Sequence, residues 1–360
     1  MFLNIVAFLL IFGVLVFVHE LGHFVTAKLA GVKVEEFGFG FPPRLLAVRR
    51  GETEYSINAI PIGGFVRMLG EDNPQEPRSF ASAPKRWRTT ILLAGAGMNV
   101  VMAVLLFAGG YMAGWPTASD FEVQVRAVLA GSPAAQAGLQ SGDVIVAMNG
   151  QSIGDTDQLR AVTQQRLGQE TTLLIRRGNQ EETLKVTPYT TFTPDRGALG
   201  VTISNQPLKV EPVYYPLGPA LSEGAQRVGD TIRFTVTLPS LLAHGQVPTE
   251  AARPVGPVGI WDVTSQAAHE TATTGWWFPL FYVAASLSVG LAIANVLPIP
   301  GLDGGRLLFV IIEAVRGRRI SPEREGAIHM VGIAVLLTLS VLIAYYDLTA
   351  PLPGIDWGFK

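Results

Sequence analysis

His19-Glu20-Leu21-Gly22-His23 places two histidines and a carboxylate inside a stretch that is otherwise apolar enough for a membrane span. Phe2 to Val18 is apolar but for Asn4, and Phe24 to Ala27 continues the run with little polarity. On a helix, His19 and His23 stand at i and i+4 on one face, so both imidazoles reach one ion. Glu20 lies about 100° round the axis, near a water on that ion. Ionisable groups within a span are costly and point to function. The competing explanation is a chance recurrence of this spacing on a surface helix, and the apolar flanks weigh against it.

The composition agrees with a membrane chain. Of 360 residues 48% are hydrophobic and 16% charged, and the mean hydropathy is +0.33. Phe2–Ala27, Ile91–Trp115, Phe278–Leu297 and Ile328–Tyr346 each approach the roughly 20 residues a bilayer requires. The first lacks a basic leader and a small-residue cleavage site before His19, so it is expected to be retained. Basic residues from Lys28 to Arg88 fall between the first two segments, and Arg306, Arg316, Arg318, Arg319 and Arg324 between the last two. By the positive-inside rule both loops are cytoplasmic, and the stretch from Pro116 to Trp276 and both ends lie outside. A net charge of -2 argues against a nucleic-acid partner. With no cysteine in the chain, disulfides and thiolate metal sites are excluded, so any metal must be held by His, Asp or Glu.

Between the first two segments, Glu54 to Met68 shows broken alternation interrupted by Pro61 and Gly63-Gly64, the pattern of short strands or a hairpin. Phe37 to Pro43 is too rich in Gly and Pro for a helix. Two placements are open: a small sheet lying against or dipping into the bilayer, or a hairpin on a cytoplasmic loop. Past Trp115, strands are expected at Glu122–Val128, Val144–Met148, Thr171–Arg177 and Glu182–Thr187. A short helix ending at Gly138, an Asn149-Gly150 turn and a helix at Thr156–Arg166 complete a compact unit. Pro216 to Leu242 has the apolar spacing of an amphipathic helix, either on the membrane surface or covering the outside domain. Pro254 to Ile260 reads as a breaker-rich linker.

A catalytic zinc takes three protein ligands and keeps one position open. The third must reach the depth of His19 and His23 from the cytoplasmic side. Asp303 does so, in Asn295-Val296-Leu297-Pro298-Ile299-Pro300-Gly301-Leu302-Asp303-Gly304-Gly305, where prolines and glycines bend the chain back after the third segment. An isolated Asp in such a turn is ordinarily a cap or turn former; its pairing with an intramembrane HExxH favours the ligand role. His244, His269 and His329 have no partner spacing and are assigned surface or packing roles.

HELGH in the first segment and NVLPIPGLDGG after the third resemble the site-2 protease family of intramembrane zinc metalloproteases, in its bacterial branch that cleaves anti-sigma factors. SPAAQAGLQSGDVIVAMNG resembles a bacterial PDZ domain, GGFVRMLGED that branch's membrane-associated β loop, and PVGPVGI its pre-span segment. Two departures stand out: Ala96 replaces the family's common proline, and one PDZ unit is present where the best-known enterobacterial members have two. The resemblance implies a polytopic α-helical membrane protein with four transmembrane helices, a membrane-associated β hairpin or sheet, and an inserted α+β PDZ domain. The domains would be 1–115 with the HExxH helix, a PDZ domain at 116–203, a linker with amphipathic helix at 204–275, and 276–360 with the LDG segment.

It further implies Zn2+ held by His19, His23 and Asp303, with Glu20 taking the proton of the attacking water and passing it to the leaving amine. Asn295 is expected to bind substrate or support the oxyanion. Gly63, Gly64, Phe65 and Val66 would hold the substrate as an added strand, and Leu199, Gly200 and Val201 would receive a peptide C-terminus in the PDZ domain. Expected partners are the lipid bilayer and single-span substrates, an anti-sigma factor or a signal-peptide remnant, in the bacterial plasma membrane. Two other functions compete. A PDZ scaffold with a structural metal has no use for Glu20, and a membrane zinc enzyme with a non-peptide substrate has no use for a peptide-binding domain.

Overall fold

The computed structural model describes residues 2–71, 73, 75–192, 197–248, 252–355 and 357. It divides into two compact units, Met1–Trp115 joined with Tyr214–Trp357, and Pro116–Val213. The two expected membrane cores are therefore one body.

In the first unit the helices are α1 (Phe2–Leu29), α2 (Lys85–Met112), α5 (Leu217–Ala243), α6 (Pro257–Thr274), α7 (Phe278–Val296), α8 (Asp303–Arg316) and α9 (Pro322–Thr349). Among the described residues α1, α2, α7 and α9 are the four helices long and apolar enough to cross a membrane, as the hydropathy predicts. Helix α2 is the hub, packing against α1, α5, α7 and α8. Ala103, Phe107, Val228, Ala285 and Val289 form one core between α2, α5 and α7. The amphipathic helix α5 thus covers α2, and Gly224 meets the Val104 carbonyl directly. Where α2 ends, Trp115 stacks on Tyr111 at 4.0 Å and meets Phe278 edge-on at 4.8 Å. Clustered aromatic rings at a helix end mark a membrane interface.

Pro254–Ile260 is not wholly a linker, because α6 begins at Pro257. Proline is tolerated in a first helical turn, where its missing N–H would have had no partner. The other orphan donors find an acceptor far along the chain: Asp347 Oδ2 accepts from the Gly256 and Gly259 N–H groups at 3.0 and 2.9 Å.

Strands β1 (Val34–Arg50) and β2 (Thr53–Met68) each bend back and pair twice. Residues 36–39 have partners on both sides, 64–67 and 54–57, while 44–50 pair with 53–58. The register leaves 64–68 on one rim, partnered by 34–39 alone, and 44–50 on the other. The sheet follows α1 over much of its length. Glu52 in the turn accepts from Lys28 at 2.9 Å, and Phe37 packs on Phe24 and Phe17 at 4.8 and 5.4 Å. At the far end the Pro61 carbonyl lies against Gly13. From Lys28 back to Gly13 is about 22 Å of helix at 1.5 Å per residue. The sheet therefore lies along a spanning helix, which decides between the two placements in favour of the membrane-associated one. Its exposed residues Phe41, Leu45, Leu46, Val48, Ile57 and Ile60 suit a lipid environment. Glu36, 2% exposed, is neutralised by Arg67 at 3.0 Å and accepts from Ser56 and Arg44 at 2.7 Å each, as a buried carboxylate requires. Arg78 and Lys28 hold the Glu52 carboxyl down to about 2.

The second unit contains β3 (Trp115–Val128), α3 (Pro133–Gln136), β4 (Val144–Met148), β5 (Gln151–Ser152), α4 (Thr156–Gln164), β6 (Thr171–Arg177), β7 (Gln180–Val186) and β8 (Val201–Val213). The sheet order is β7-β6-β4-β3-β8, with β5 on β4. Strand β8 carries the unit to Val213, past the boundary expected at 203, and residues 204–213 belong to the sheet and not to a linker. Asn149 and Gly150 turn with φ of 51° and 80°, the geometry Asn-Gly favours. Burial alone would raise the Asp143 carboxyl. Two Arg177 donors, at 2.8 Å each, and the Gln140 N–H, also at 2.8 Å, outweigh it and hold the group below its usual value.

A carboxylate depressed in the folded state stabilises above its unfolded pKa of about 3.9, and that stability is lost as pH falls through the folded value. Asp143→Ala is expected to cost this unit about 1–3 kcal/mol at pH 7. The difference from wild type should shrink below pH 4. Hydrogen exchange of β4 and β6 amides in the full chain measures both.

Candidate metal centre

Helices α1, α2 and α8 build the site. His19 and His23 lie one turn apart on α1, 7% and 6% exposed, and Asp303 opens α8 after the Pro-Gly turn. His19 Nε2 and His23 Nε2 are 3.1 Å apart, and Asp303 Oδ2 is 3.1 and 3.2 Å from them. Among the described residues this is the one group of three potential metal ligands found. A tetrahedral ion with bonds of about 2.0–2.1 Å needs donor separations of about 3.3 Å. Two ring nitrogens converging on one carboxylate oxygen fit a shared cation better than hydrogen bonding, since two lone pairs otherwise oppose each other.

Close approach of helix backbones makes the triangle possible. A Cβ on Gly95 of α2 would fall 2.5 Å from His23 Nε2 and 2.7 Å from His19 Nε2. A Cβ on Gly304 would fall 2.1 Å from the Leu297 carbonyl, so glycine lets the chain fold back and aim Asp303. The turn is fastened by Gly301 N–H donating to His329 Nδ1 at 2.8 Å, which gives His329 the packing role expected of it. Ala96, in place of the family's common proline, is buried within an uninterrupted α2.

A cavity of about 220 Å3 opens on the ligands, lined by Glu20, His23, Phe65, Val66, Met68, Glu71, Leu92, Asp303 and Arg306. Glu20 faces the same space as His23 and Asp303, and the Val66 N–H is aimed at its carboxylate. Buried Gly64 passes over the Glu20 side chain, where an added Cβ would lie 3.6 Å from its Cγ. Gly63 is buried beside Val16 and Phe41. Phe65 and Val66 thus stand on the sheet rim that borders the site; of the GGFVRMLGED stretch, Asp72 lies outside the described residues. Arg306 pairs with Glu71 at 2.7 Å across the cavity mouth.

Asn295 does not line this cavity, and its Nδ2 donates to the Leu291 carbonyl at 3.0 Å. Leu199, Gly200 and Val201 line a separate cavity of about 390 Å3 in the second unit, with Leu159 and Thr163 of α4. Gly200 has a φ of 71° and touches Ser132, so the loop demands glycine there. Gly95 and Asn99 carry no role in the expectations drawn from sequence. The available signal was Asn99 itself, the one amide side chain in the apolar run of α2.

Residues 7–339 match the model of Peptidase family M50. The chain belongs to that family. A Clostridium perfringens protein is 35% identical over 346 residues, covering 96% of this chain and 98% of that protein. The zinc metalloprotease RasP of Oceanobacillus iheyensis is 31% identical, with 96% and 98% covered. The regulator of sigma-W protease RasP of Bacillus subtilis is 29% identical, with 97% and 99% covered. Among solved structures, the PDZ domain of an SdrC-like protein from Listeria monocytogenes is 20% identical, covering 24% of this chain and 90% of that one, with a TM-score of 0.21.

Asp303→Ala is expected to weaken zinc binding and activity together, since a two-histidine site remains. Asp262→Ala on α6 should change neither. Metal content after mild chelation distinguishes them, and an Asp303 variant that keeps stoichiometric zinc removes Asp303 from the ligand set.

Proposed function

We propose that this chain is an intramembrane zinc endopeptidase that cuts single-span membrane proteins within or near their transmembrane segments. The observation that carries the reading is the convergence of His19, His23 and Asp303 on one point, beside a cavity that Glu20, His23 and Asp303 line together with a sheet rim, on helices apolar enough to lie in a bilayer. Bound zinc supplies Lewis-acid activation of water and of the scissile carbonyl at neutral pH. His19, His23 and Asp303 hold it. Glu20 accepts the proton of the attacking water and returns it to the leaving amine.

A peptide bond within a helix is shielded by its own hydrogen bonds, so the substrate must be opened locally. The rim at Gly63–Val66 offers unpaired strand geometry where an extended segment can add to the sheet and lie beside Glu20. Asn295 stands outside the cavity with its amide on the Leu291 carbonyl, so a role in binding that segment or supporting the oxyanion requires this amide to turn toward the substrate. The name of the Bacillus subtilis relative supports an anti-sigma factor as substrate class, with signal-peptide remnants as a second class. The second unit, of PDZ type by its sequence, would take a peptide C-terminus at Leu199-Gly200-Val201. A scaffold with a structural metal does not account for Glu20 at the cavity.

The arginine-rich segments 28–90 and 304–327 are assigned to the cytoplasm, and 116–213 to the outside of the plasma membrane. Ser82 and Ser152 are both exposed, and the chain has no cysteine, so Ser82→Cys and Ser152→Cys report sidedness cleanly. An impermeant thiol reagent on intact cells should label position 152 and spare 82; the converse inverts the assignment.

Glu20→Gln tests the chemistry. The variant should retain zinc and lose cleavage of single-span substrates in detergent by at least about 100-fold, read by mass spectrometry of the fragments. Undiminished cleavage removes Glu20 from the mechanism.

A further inference from the structure

We propose that Asn99 is a positioning residue of the metal centre: its side-chain oxygen takes the Nδ1 proton of His19 and holds this imidazole with Nε2 turned to the metal. The inference rests on the assignment of His19 as a ligand. Because Nε2 is the atom that joins the donor triangle, a neutral His19 must carry its proton on Nδ1. The group facing Nδ1 is the Asn99 amide, 3.3 Å away and fully buried.

In the structure Asn99 Nδ2 faces the ring, while Oδ1 is buried without a partner. That arrangement sets one donor against another and leaves an acceptor orphaned. The two amide atoms exchange places by a half-turn of the last side-chain torsion. The turned amide gives the ring proton an acceptor, and a single unpaired group replaces two faults. The other ligand shows the same device, since His23 Nδ1 donates to the Ile91 carbonyl at 2.7 Å.

Ile91, Gly95 and Asn99 follow at four-residue steps on α2, so they lie on one stripe. The stripe presents an acceptor for His23, a gap into which both rings fit, and an acceptor for His19. Asn99 is anchored through its own backbone, whose carbonyl accepts from the buried Ser288 Oγ of α7 at 2.8 Å. Partners of this kind fix the tautomer and orientation of a metal-binding histidine. An asparagine that merely joins helices, as polar groups do in membranes, would have no influence on the metal.

The test uses the full chain in detergent, loaded with zinc, and follows metal loss to a competing chelator. Asn99→Leu keeps the branched shape at Cγ without an acceptor, and Asn99→Asp keeps an oxygen. Asn99→Leu should bind zinc about 10–100-fold more weakly, and Asn99→Asp should stay within about threefold of wild type. The melting temperature of the metal-free Asn99→Leu chain should match that of the metal-free wild type. Wild-type zinc retention in Asn99→Leu, or equal loss in both variants, overturns the proposal. Should a variant not fold, 15N-histidine shifts of the zinc-loaded wild type decide: Nε2 coordination with an Nδ1 proton on His19 is expected, and Nδ1 coordination contradicts it. A wild-type chain that takes up no zinc would instead overturn the ligand assignment beneath this one.

Discussion

Imidazoles on one spanning helix can press against the backbone of another only where no side chain stands between them. That constraint is met at Gly95, whose missing Cβ leaves the space occupied by the tips of His19 and His23. Gly22, one residue before His23, performs the matching service on α1, where a Cβ would fall 2.4 Å from the Ala94 carbonyl. The two helices thus close directly over the histidines, and water is excluded from the outer side of the rings. In such surroundings each ring proton needs a protein acceptor, because an unsatisfied polar group away from water is costly. The Ile91 carbonyl and the Asn99 amide stand at those positions. Close packing, ligand orientation and proton placement are consequences of one helix contact.

The sheet solves a second problem, that of backbone at membrane depth. Segments 36–39 and 54–57 are paired on both sides, which satisfies their polar groups internally, as lipid requires. The two rims, 44–50 and 64–68, are each paired on one side alone, and the 64–68 rim borders the cavity of Glu20 and Asp303. An edge that would be a liability elsewhere is placed where an extended substrate can use it.

The sequence was most legible where periodicity and chemistry coincide. Apolar length located the four spans, and the i, i+4 histidines with the Pro-Gly turn at Asp303 singled out the three side chains that converge. Pairing was much less legible. Each of β1 and β2 serves as two strands, so Pro61 and Gly63 read as interruptions when they mark bends within a continuous sheet. Helix α6 was hidden because its first-turn donors are capped by Asp347, 91 residues after Gly256, and no local signal announces such a partner. Strand β8 ran past the expected domain end because its partner β3 lies at the opposite end of the unit in sequence. Asn99 was visible as a lone amide in an apolar helix, yet its role emerged only when α2 was laid against α1.

The central claim is that His19, His23 and Asp303 together hold one zinc. X-ray absorption of the zinc-loaded full chain tests it most directly. Two imidazole nitrogens and at least one oxygen at about 2.0–2.1 Å, with one zinc per chain, are predicted; the imidazole signature should fall by half in His23→Ala. A coordination sphere without imidazole, or one unchanged by His23→Ala, would contradict the account.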